Sequence, residues 1–250
     1  MTTTAAKLGT LLLAGGLAFG SAGCIKKMLI KGQMEGTIKG SEAASTISDY
    51  EVAKHAAMAG LAQAEGMHYL APDVQVGLFL LTKSWAGASF AFIEDEMEQA
   101  QDVHGDASEL FEYHKARAVA GYSRAVFYGT KLLDNANPGF KEAKRNADTM
   151  RQWLAGFSDK KDAPALFWTG QAWMSRVNLL QADMAVVAEL FIGMLMVRRS
   201  VELDENYNYG TGHVILGAYH ARSAMAELDT AKKHFDKAIA MTGGKALLAK

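Results

Sequence analysis

Two groups of residues near the C-terminal end of the sequence have the types and spacing of metal ligands. Asp204, Asn206 and Asn208 alternate along the chain, as the oxygen ligands of a calcium-binding loop do. His213 and His220 lie seven residues apart, which places both imidazoles on one face of a helix. The first group would bind a hard cation such as Ca²⁺, and the second would bind Zn²⁺ or a similar transition metal.

Neither group is completed by the residues around it. An EF-hand loop requires glycine at its sixth position and glutamate at its twelfth, but Gly210 is seventh from Asp204 and Ile215 is twelfth. The two histidines lack a third ligand, and the sequence has no HExxH, GxSxG, CxxC or phosphate-loop motif. We therefore predict no catalytic residue, no metal and no cofactor, and we interpret the segment as a turn followed by a packed helix.

The composition predicts a helical protein and argues against nucleic acid as a partner. The 250 residues carry 26 basic and 27 acidic side chains, without a basic block dense enough to follow a phosphate backbone. Half of the residues are hydrophobic, which allows a substantial core. Only three are proline, and abundant alanine, leucine, methionine and lysine favour helices.

The N-terminal segment resembles the signal peptide of a bacterial lipoprotein. Leu11–Gly20 is an apolar run of ten residues, too short for a bilayer span, which needs about 20. Small residues then lead into Cys24, the single cysteine of the chain, as in a lipobox. We predict cleavage before Cys24 and its lipidation; Ile25 in place of aspartate favours the periplasmic face of the outer membrane over the inner membrane. The alternative is an ordinary signal peptide with an incidental cysteine.

The rest of the chain predicts an all-α fold. Turn signals such as Pro72 and Pro138 separate segments with helical composition, and no segment alternates convincingly as a strand does. We divide the chain into a signal peptide at 1–23, a tether with a short first helix at 24–48, and a helical domain at 49–250. The predicted helices of that domain are Glu51–Leu70, Val74–Ala100, Ser108–Leu133, Phe140–Phe157, Ala165–Leu180, Met184–Leu203, Gly212–Glu227 and Asp229–Met241.

Spacing within several of these helices resembles the tetratricopeptide (TPR) repeat, in which helix pairs stack into a solenoid. The first helix of a repeat carries a large, an apolar, a small and an aromatic residue on one face; the second carries small, aromatic and small residues. The matching positions are Leu78, Leu81, Thr82 and Trp85; Leu166, Thr169, Gly170 and Trp173; His213, Leu216, Gly217 and His220; and, in a second helix, Ala231, Phe235 and Ala238. We predict a degenerate TPR-like solenoid in which these residues, both histidines included, pack against neighbouring helices.

The best candidate for ligand binding is a stripe on one face of the long third helix. Tyr113, Arg117, Gly121, Arg124 and Tyr128 follow one another at intervals of three or four residues. Two guanidinium groups framed by aromatic rings could bind a carboxylate through paired hydrogen bonds. The alternative is an exposed face with extended arginine side chains.

Aromatic residues provide a second candidate, an apolar channel between helices. Trp85, Phe90 and Phe92 lie in one predicted helix, and Trp168 and Trp173 lie in another. Packing in the core would explain the same residues. The acidic run "EDEMEQ" spreads over several faces of its helix and predicts a solvated surface.

Longer stretches of the sequence resemble the T component (TatT) family of tripartite ATP-independent periplasmic (TRAP) transporters. The most specific are "DAPALFWTGQAWMSRVNLLQADMAVVAEL" and "VELDENYNYGTGHVILGAYHA", with "FAFIEDEMEQA" and "GYSRAVFYGTKLL" before them. The resemblance covers roughly Tyr50 to Lys245. Phe191 stands where the family would place a proline, so we expect Met184–Leu203 to run without a break. The family continues past "GGK" with further helices, so we expect this sequence to be short at its C-terminal end.

The resemblance implies a bacterial TPR-like lipoprotein without enzymatic activity. Such a protein would dock the solute-binding subunit of a TRAP uptake system at the periplasmic side and help to guide a small organic acid or an apolar ligand. Homo-oligomerisation is compatible with this role. Two alternatives stay open: a TPR adaptor lipoprotein of envelope assembly that binds peptides or proteins in its groove, and an independent carrier of small molecules.

Replacing Cys24 with serine removes the thiol that a lipid would modify. We expect wild-type protein to incorporate alkyne-palmitate and to remain with membranes, because acyl chains provide the anchor, whereas Cys24→Ser should be unlabelled and released. Metabolic labelling and cell fractionation measure both properties, and Ser21→Ala, which keeps the cysteine, should behave like the wild type. A labelled or membrane-retained Cys24→Ser protein would contradict the lipoprotein interpretation.

Overall fold

A computed structural model describes residues 25–43, 46–222 and 227–243. The chain divides into two compact units, Met1–Leu80 and Leu81–Lys250, and each is considered by itself. The predicted signal peptide and the predicted lipidation site at Cys24 lie outside the described residues. Among the described residues there are helices and turns and no strand, so the all-α prediction is confirmed.

The first unit contains two complete helices and the start of a third. Helix α1 spans residues 25–43, α2 spans Tyr50–Leu70, and α3 begins at Gln75 and continues to Ala88. The Asp49 carboxylate accepts a hydrogen bond from the backbone N–H of Val52 (2.9 Å) and so caps the start of α2. Met34 is fully buried and lies beside Gly77, where a Cβ atom would come within 2.9 Å of the methionine methyl group.

The second unit continues as a succession of helices joined by short turns. Polar side chains start several of them, because they accept hydrogen bonds from otherwise unpaired backbone N–H groups; Ser108 and Asp183 are two examples. The elements are a π-helical segment at Ser89–Ile93, α4 at Glu94–His104, α5 at Glu109–Ala136, α6 at Phe140–Ala143, α7 at Ala147–Leu154, α8 at Ala163–Leu179, α9 at Met184–Val187, α10 at Leu190–Leu203, α11 at Thr211–Arg222 and α12 at Leu228–Met241, with 3₁₀ turns at Lys160–Asp162 and Tyr207–Gly210.

Two of the predicted helices are each divided in the structure. The predicted helix Phe140–Phe157 is interrupted at Asn146, whose side chain accepts from the N–H groups of Asp148 and Thr149 and starts α7. The expectation that Met184–Leu203 would run without a break is wrong. The Asp183 carboxylate caps the single turn of α9, and the chain bends before α10 begins at Leu190. At Asn146 a polar side chain competes with the helical hydrogen-bond pattern. After Val187 the N–H of Glu189 bonds the carbonyl oxygen of Val186, and no side chain caps α10.

Each long helix of the second unit packs on the next long helix along the chain, and small residues lie at several of these interfaces. A Cβ atom added to Gly170 of α8 would lie 2.7 Å from the carbonyl oxygen of Gly193 in α10, and the reverse holds for Gly193. The two backbones therefore touch. At the other interfaces a glycine meets a side chain of the neighbouring element: Gly121 meets Ser89, Gly129 meets Thr169, Gly212 meets Val201 and Gly217 meets Phe235.

Most residues that match the TPR spacing are buried in these interfaces. Leu166, Thr169, Gly170 and Trp173 are buried on α8, and Leu216 and Gly217 are buried on α11. Leu78, Leu81, Thr82, Ala231 and Ala238 are buried as well, whereas Trp85 and Phe235 are half-buried. Their burial agrees with a packing role, and the TPR-like solenoid itself stays a prediction.

By length and hydropathy, one helical stretch among the described residues could cross a membrane. It runs from Gln75 to His104 through α3, the π-helical segment and α4, and half of its most apolar 18-residue window is buried. Core helices of soluble domains have the same property.

The Gly170–Gly193 contact generates a prediction about stability. Gly193→Ala should lower the free energy of unfolding by about 1–3 kcal/mol, because the new methyl group would overlap the Gly170 backbone and force α8 and α10 apart. Gly87→Ala is the matched control: nothing lies within 4 Å of its Cβ position, so alanine should be neutral or stabilising by up to about 1 kcal/mol. Urea unfolding followed by circular dichroism measures both, and equal effects would contradict the close approach.

Candidate functional site

A cavity of about 630 Å³ lies in the second unit between α8 and α11. Both helices pack against α10 but scarcely touch each other, which leaves the space open. Most of the lining side chains are apolar or aromatic, and we call this space the apolar cavity. Its lining consists of Phe90, Phe167, Trp168, Gln171, Met174, Ser175, Asn178, Val187, Leu190, Asn208, Thr211, Val214, Ile215, Ala218, Tyr219 and Arg222.

Helical spacing on α8 and α11 directs these side chains towards the cavity. On α8, Phe167, Gln171 and Met174 are separated by four and three residues, and on α11 Thr211 and Ile215 are separated by four, so each set shares one face. Other faces of α8 carry Thr169 and Gly170, which pack on α5 and α10. The cavity therefore uses the part of α8 that the core does not.

The turn before α11 forms one wall of the cavity and has an unusual backbone. Asn208 and Tyr209 adopt left-handed conformations with φ values of 49° and 57°, and Gly210 follows with 73°. Residues other than glycine rarely adopt the left-handed region, because it costs each of them on the order of 1 kcal/mol. A hydrogen bond from the Trp168 indole N–H to the Tyr207 hydroxyl (2.8 Å) ties the turn to α8. Burial raises the pKa of Tyr207, so its hydroxyl stays protonated.

Six of the sixteen lining residues carry polar, non-aromatic side chains: Gln171, Ser175, Asn178, Asn208, Thr211 and Arg222. The side-chain oxygen of Gln171 is buried and has no hydrogen-bond partner among the described residues. An unsatisfied buried oxygen costs free energy that a ligand N–H or O–H could recover. Arg222 contributes an exposed positive charge at the last turn of α11. The arrangement suits a ligand that is mostly apolar with at least one polar group.

The predicted arginine stripe on α5 meets partners within the chain. Arg117 bonds the carboxylate of Glu96 and lies 5.6 Å from the ring centroid of Tyr113. Arg124 donates a hydrogen bond to the Tyr128 hydroxyl (3.1 Å) and lies over the ring of Trp85. None of the stripe residues Tyr113, Arg117, Arg124 and Tyr128 lines the apolar cavity. A ligand carboxylate at Arg117 would have to compete with Glu96.

The predicted aromatic channel is only partly reflected in the cavity lining. Trp168 and Phe90 face the apolar cavity, whereas Trp173 is buried in the core with Arg176 over its ring. Trp85 lies beside Arg124 instead. The lining residues that the sequence reasoning missed, among them Met174, Ile215 and Tyr219, are ordinary helix residues whose periodicity alone does not distinguish a cavity from a core.

The acidic run of α4 is less solvated than its sequence suggested. Glu94 accepts a hydrogen bond from the fully buried Tyr122, and Glu96 bonds Arg117 and lies 3.2 Å from His114. Burial raises the pKa of Glu94, and the Tyr122 hydrogen bond opposes that rise. Burial and the neighbouring Glu94 charge raise the pKa of Tyr122. These residues join α4 to α5.

The two histidines with metal-like spacing belong to a cluster with His234 of α12, which the sequence reasoning did not single out. His213 and His220 are buried, and the Nδ1 atoms of His213 and His234 lie 2.9 Å apart, so that one donates to the other. The rings of His220 and His234 are nearly parallel, and His220 also bonds Glu227. The described residues contain no group of three or more His, Cys, Asp or Glu side chains arranged to hold a metal ion.

The described residues form an all-α protein with an apolar cavity large enough for a small molecule. They contain no group of side chains arranged to hold a metal ion. Residues 46–250 match the family model for the TRAP transporter T-component, and the chain belongs to that family. A component of a TRAP transporter is part of a cell-envelope transport system. Comparison with curated proteins gave no match.

Proposed function

We propose that this T component is a non-enzymatic, lipid-anchored protein that binds a small, largely apolar molecule and docks the solute-binding subunit of its TRAP transporter. The anchor is Cys24, and the protein acts at the periplasmic side of the outer membrane. In this role it holds a ligand close to the subunit that delivers it to the membrane permease. The apolar cavity is the observation that supports ligand binding.

The size and chemistry of the apolar cavity favour a small molecule over a peptide. Its volume of about 630 Å³ falls within the range of roughly 300–1,000 Å³ typical of small-molecule sites. Apolar side chains provide most of the contact area that a ligand would bury, and Gln171 offers one fixed hydrogen-bond acceptor. A groove for an extended peptide would need a longer row of polar groups directed at the peptide backbone.

Exposed apolar side chains next to the cavity support the docking role. Phe90 lines the cavity and is 51% exposed, and Tyr209, which follows the lining residue Asn208, is 85% exposed. Large exposed apolar groups are common at protein–protein interfaces. A partner that covers Phe90 and Tyr209 would also control access to the ligand.

Blocking the apolar cavity should abolish ligand binding without unfolding the protein. We expect the wild-type protein to bind the apolar fluorescent probe N-phenyl-1-naphthylamine saturably. Val214→Trp should weaken binding at least about tenfold, because the indole would occupy the space between α11 and α8. Val103→Trp on α4 adds the same ring at a position that is 73% exposed and should bind as the wild type does. Equal binding by both variants would reject the cavity as the site.

Docking is tested separately by co-purification. Affinity-tagged protein with intact Cys24, co-expressed with the solute-binding subunit of the same TRAP system, should retain that subunit, and Phe90→Ser together with Tyr209→Ser should weaken the retention. A solute-binding protein from an unrelated uptake system is the control. Loss of probe binding with preserved co-purification in Val214→Trp would separate the two roles. Co-purification of other envelope proteins in place of the subunit would favour the peptide-binding adaptor.

A further inference from the structure

A second cavity, of about 720 Å³, lies in the second unit among α10, α11, α12 and the segment that follows α10. Its lining is rich in charged and polar side chains, and we call it the polar cavity. Its charged and titratable lining residues are Lys160, Arg198, Glu202, Asp204, Glu205, His220 and His234. It shares no lining residue with the apolar cavity.

Each carboxylate that lines the polar cavity is already paired with a cation of the chain. These pairs neutralise the acidic side of the cavity, and they include neither Arg198 nor His234. The pairs are Glu202 with Arg199 (2.7 Å), Asp204 with Lys160 (3.2 Å) and Glu205 with Lys237 (2.9 Å).

Arg198 is the basic group that these pairs do not include. It is half-buried on α10 and makes no hydrogen bond or ion pair with the described residues. A guanidinium group carries five N–H donors and keeps its charge at all ordinary pH values. Its neighbour Arg199, in contrast, bonds both Glu202 and the carbonyl oxygen of Phe157. A half-buried arginine without a counter-ion beside an open cavity is a ready partner for an external anion.

We propose that the polar cavity binds a small oxyanion, a carboxylate or phosphate group, between Arg198 and His234. The fork of guanidinium donors matches two oxygen atoms of either group. The imidazole of His234 supplies a second group that can become positive. The carboxylates of the cavity are held by their own partners, and the anion therefore does not displace an existing bond.

The charges around His234 provide a direct signal of such binding. His213 and His220 act on it from α11, and Arg198 acts on it from α10. Two carboxylates beside the other histidines already have partners: Glu227 bonds His220, and Glu205 lies between Lys237 and His213. Burial, followed by these positive neighbours, lowers the pKa of His234 to about 4.

A bound anion would favour the charged form of His234 and so raise its pKa. By linkage, the anion must then bind more tightly as the pH falls from the raised pKa towards 4, because the bound state takes up a proton. A site that used Arg198 alone would have no such pH dependence.

The first test is a pH titration of the histidine side chains in the purified mature protein, from pH 4 to 7, by long-range ¹H–¹⁵N correlation spectra. We expect 20 mM succinate or inorganic phosphate to raise the pKa of His234 by at least about one unit. The same anions should produce saturable changes in the chemical shifts of the His220 side chain. Sodium chloride of equal ionic strength is the control for screening. A response to succinate only, or to phosphate only, identifies the group that the cavity accepts. An equal response to chloride, or none to either oxyanion, would overturn the proposal.

The second test removes the arginine. Arg198→Gln should weaken binding of the effective anion about tenfold or more, which is the loss expected for a hydrogen bond to a charged group. Lys232→Gln is the control, because it removes the same charge outside the cavity. Lys232 is exposed on α12 beside Asp236 and does not line the cavity. Calorimetric titration measures both, with circular dichroism to verify folding; wild-type affinity in a folded Arg198→Gln variant would contradict the site. If that variant does not fold, the wild-type histidine titration decides the question.

Discussion

The contact between the backbones of α8 and α10 is the constraint on which the second unit depends. Because Gly170 and Gly193 lack side chains, the two helices approach until a Cβ atom on either glycine would lie 2.7 Å from the carbonyl oxygen of the other. Larger residues beside this contact, Trp173 and Met196 among them, then interlock and are buried. Close packing of this kind gains dispersion energy along the whole interface, and a single added methyl group disturbs all of it.

Close contacts at glycine residues recur between other helices of the second unit, and their arrangement leaves room for the apolar cavity. Glycine contacts also join α5 to α8, α10 to α11 and α11 to α12, so each of these long helices is fixed mainly by the next long helix along the chain. Because α8 and α11 both pack against α10, they lie beside it and make little contact with each other. The apolar cavity is the consequence. Its wall contains the left-handed turn at Asn208 and Tyr209, which the Trp168–Tyr207 hydrogen bond helps to hold.

The two cavities of the second unit differ in the chemistry of their lining side chains. The apolar cavity presents rings and aliphatic chains with one unsatisfied oxygen, at Gln171. The polar cavity presents paired carboxylates and an uncompensated positive charge, at Arg198. Both are bordered by the turn and helices in "VELDENYNYGTGHVILGAYHA". That segment has ligand-like spacing in the sequence, and in the structure it supplies walls for two different kinds of cavity. The two proposed ligands, one largely apolar and one an anion, are thus assigned to cavities that share no lining residue.

The sequence alone determined the helical class, most helix boundaries and the family, because these depend on local composition, turn residues and extended similarity. Pro72, Ser108 and Asp183 act on their immediate neighbours, and their effects can be predicted from propensity. The sequence did not predict the breaks at Asn146 and after Val187. Only the structure shows which N–H groups the Asn146 side chain meets, and no side-chain cap marks the second break.

Only the tertiary structure decided which residues line a cavity and which charges are left unpaired. Periodicity places Met174 or Trp173 on a helix face, but whether that face meets another helix or empty space depends on residues distant in sequence. Likewise, Arg198 and Arg199 are adjacent and chemically identical, yet only Arg199 reaches Glu202 and Phe157. Burial and electrostatic compensation are properties of neighbours in space, and the order of residues along the chain does not specify them.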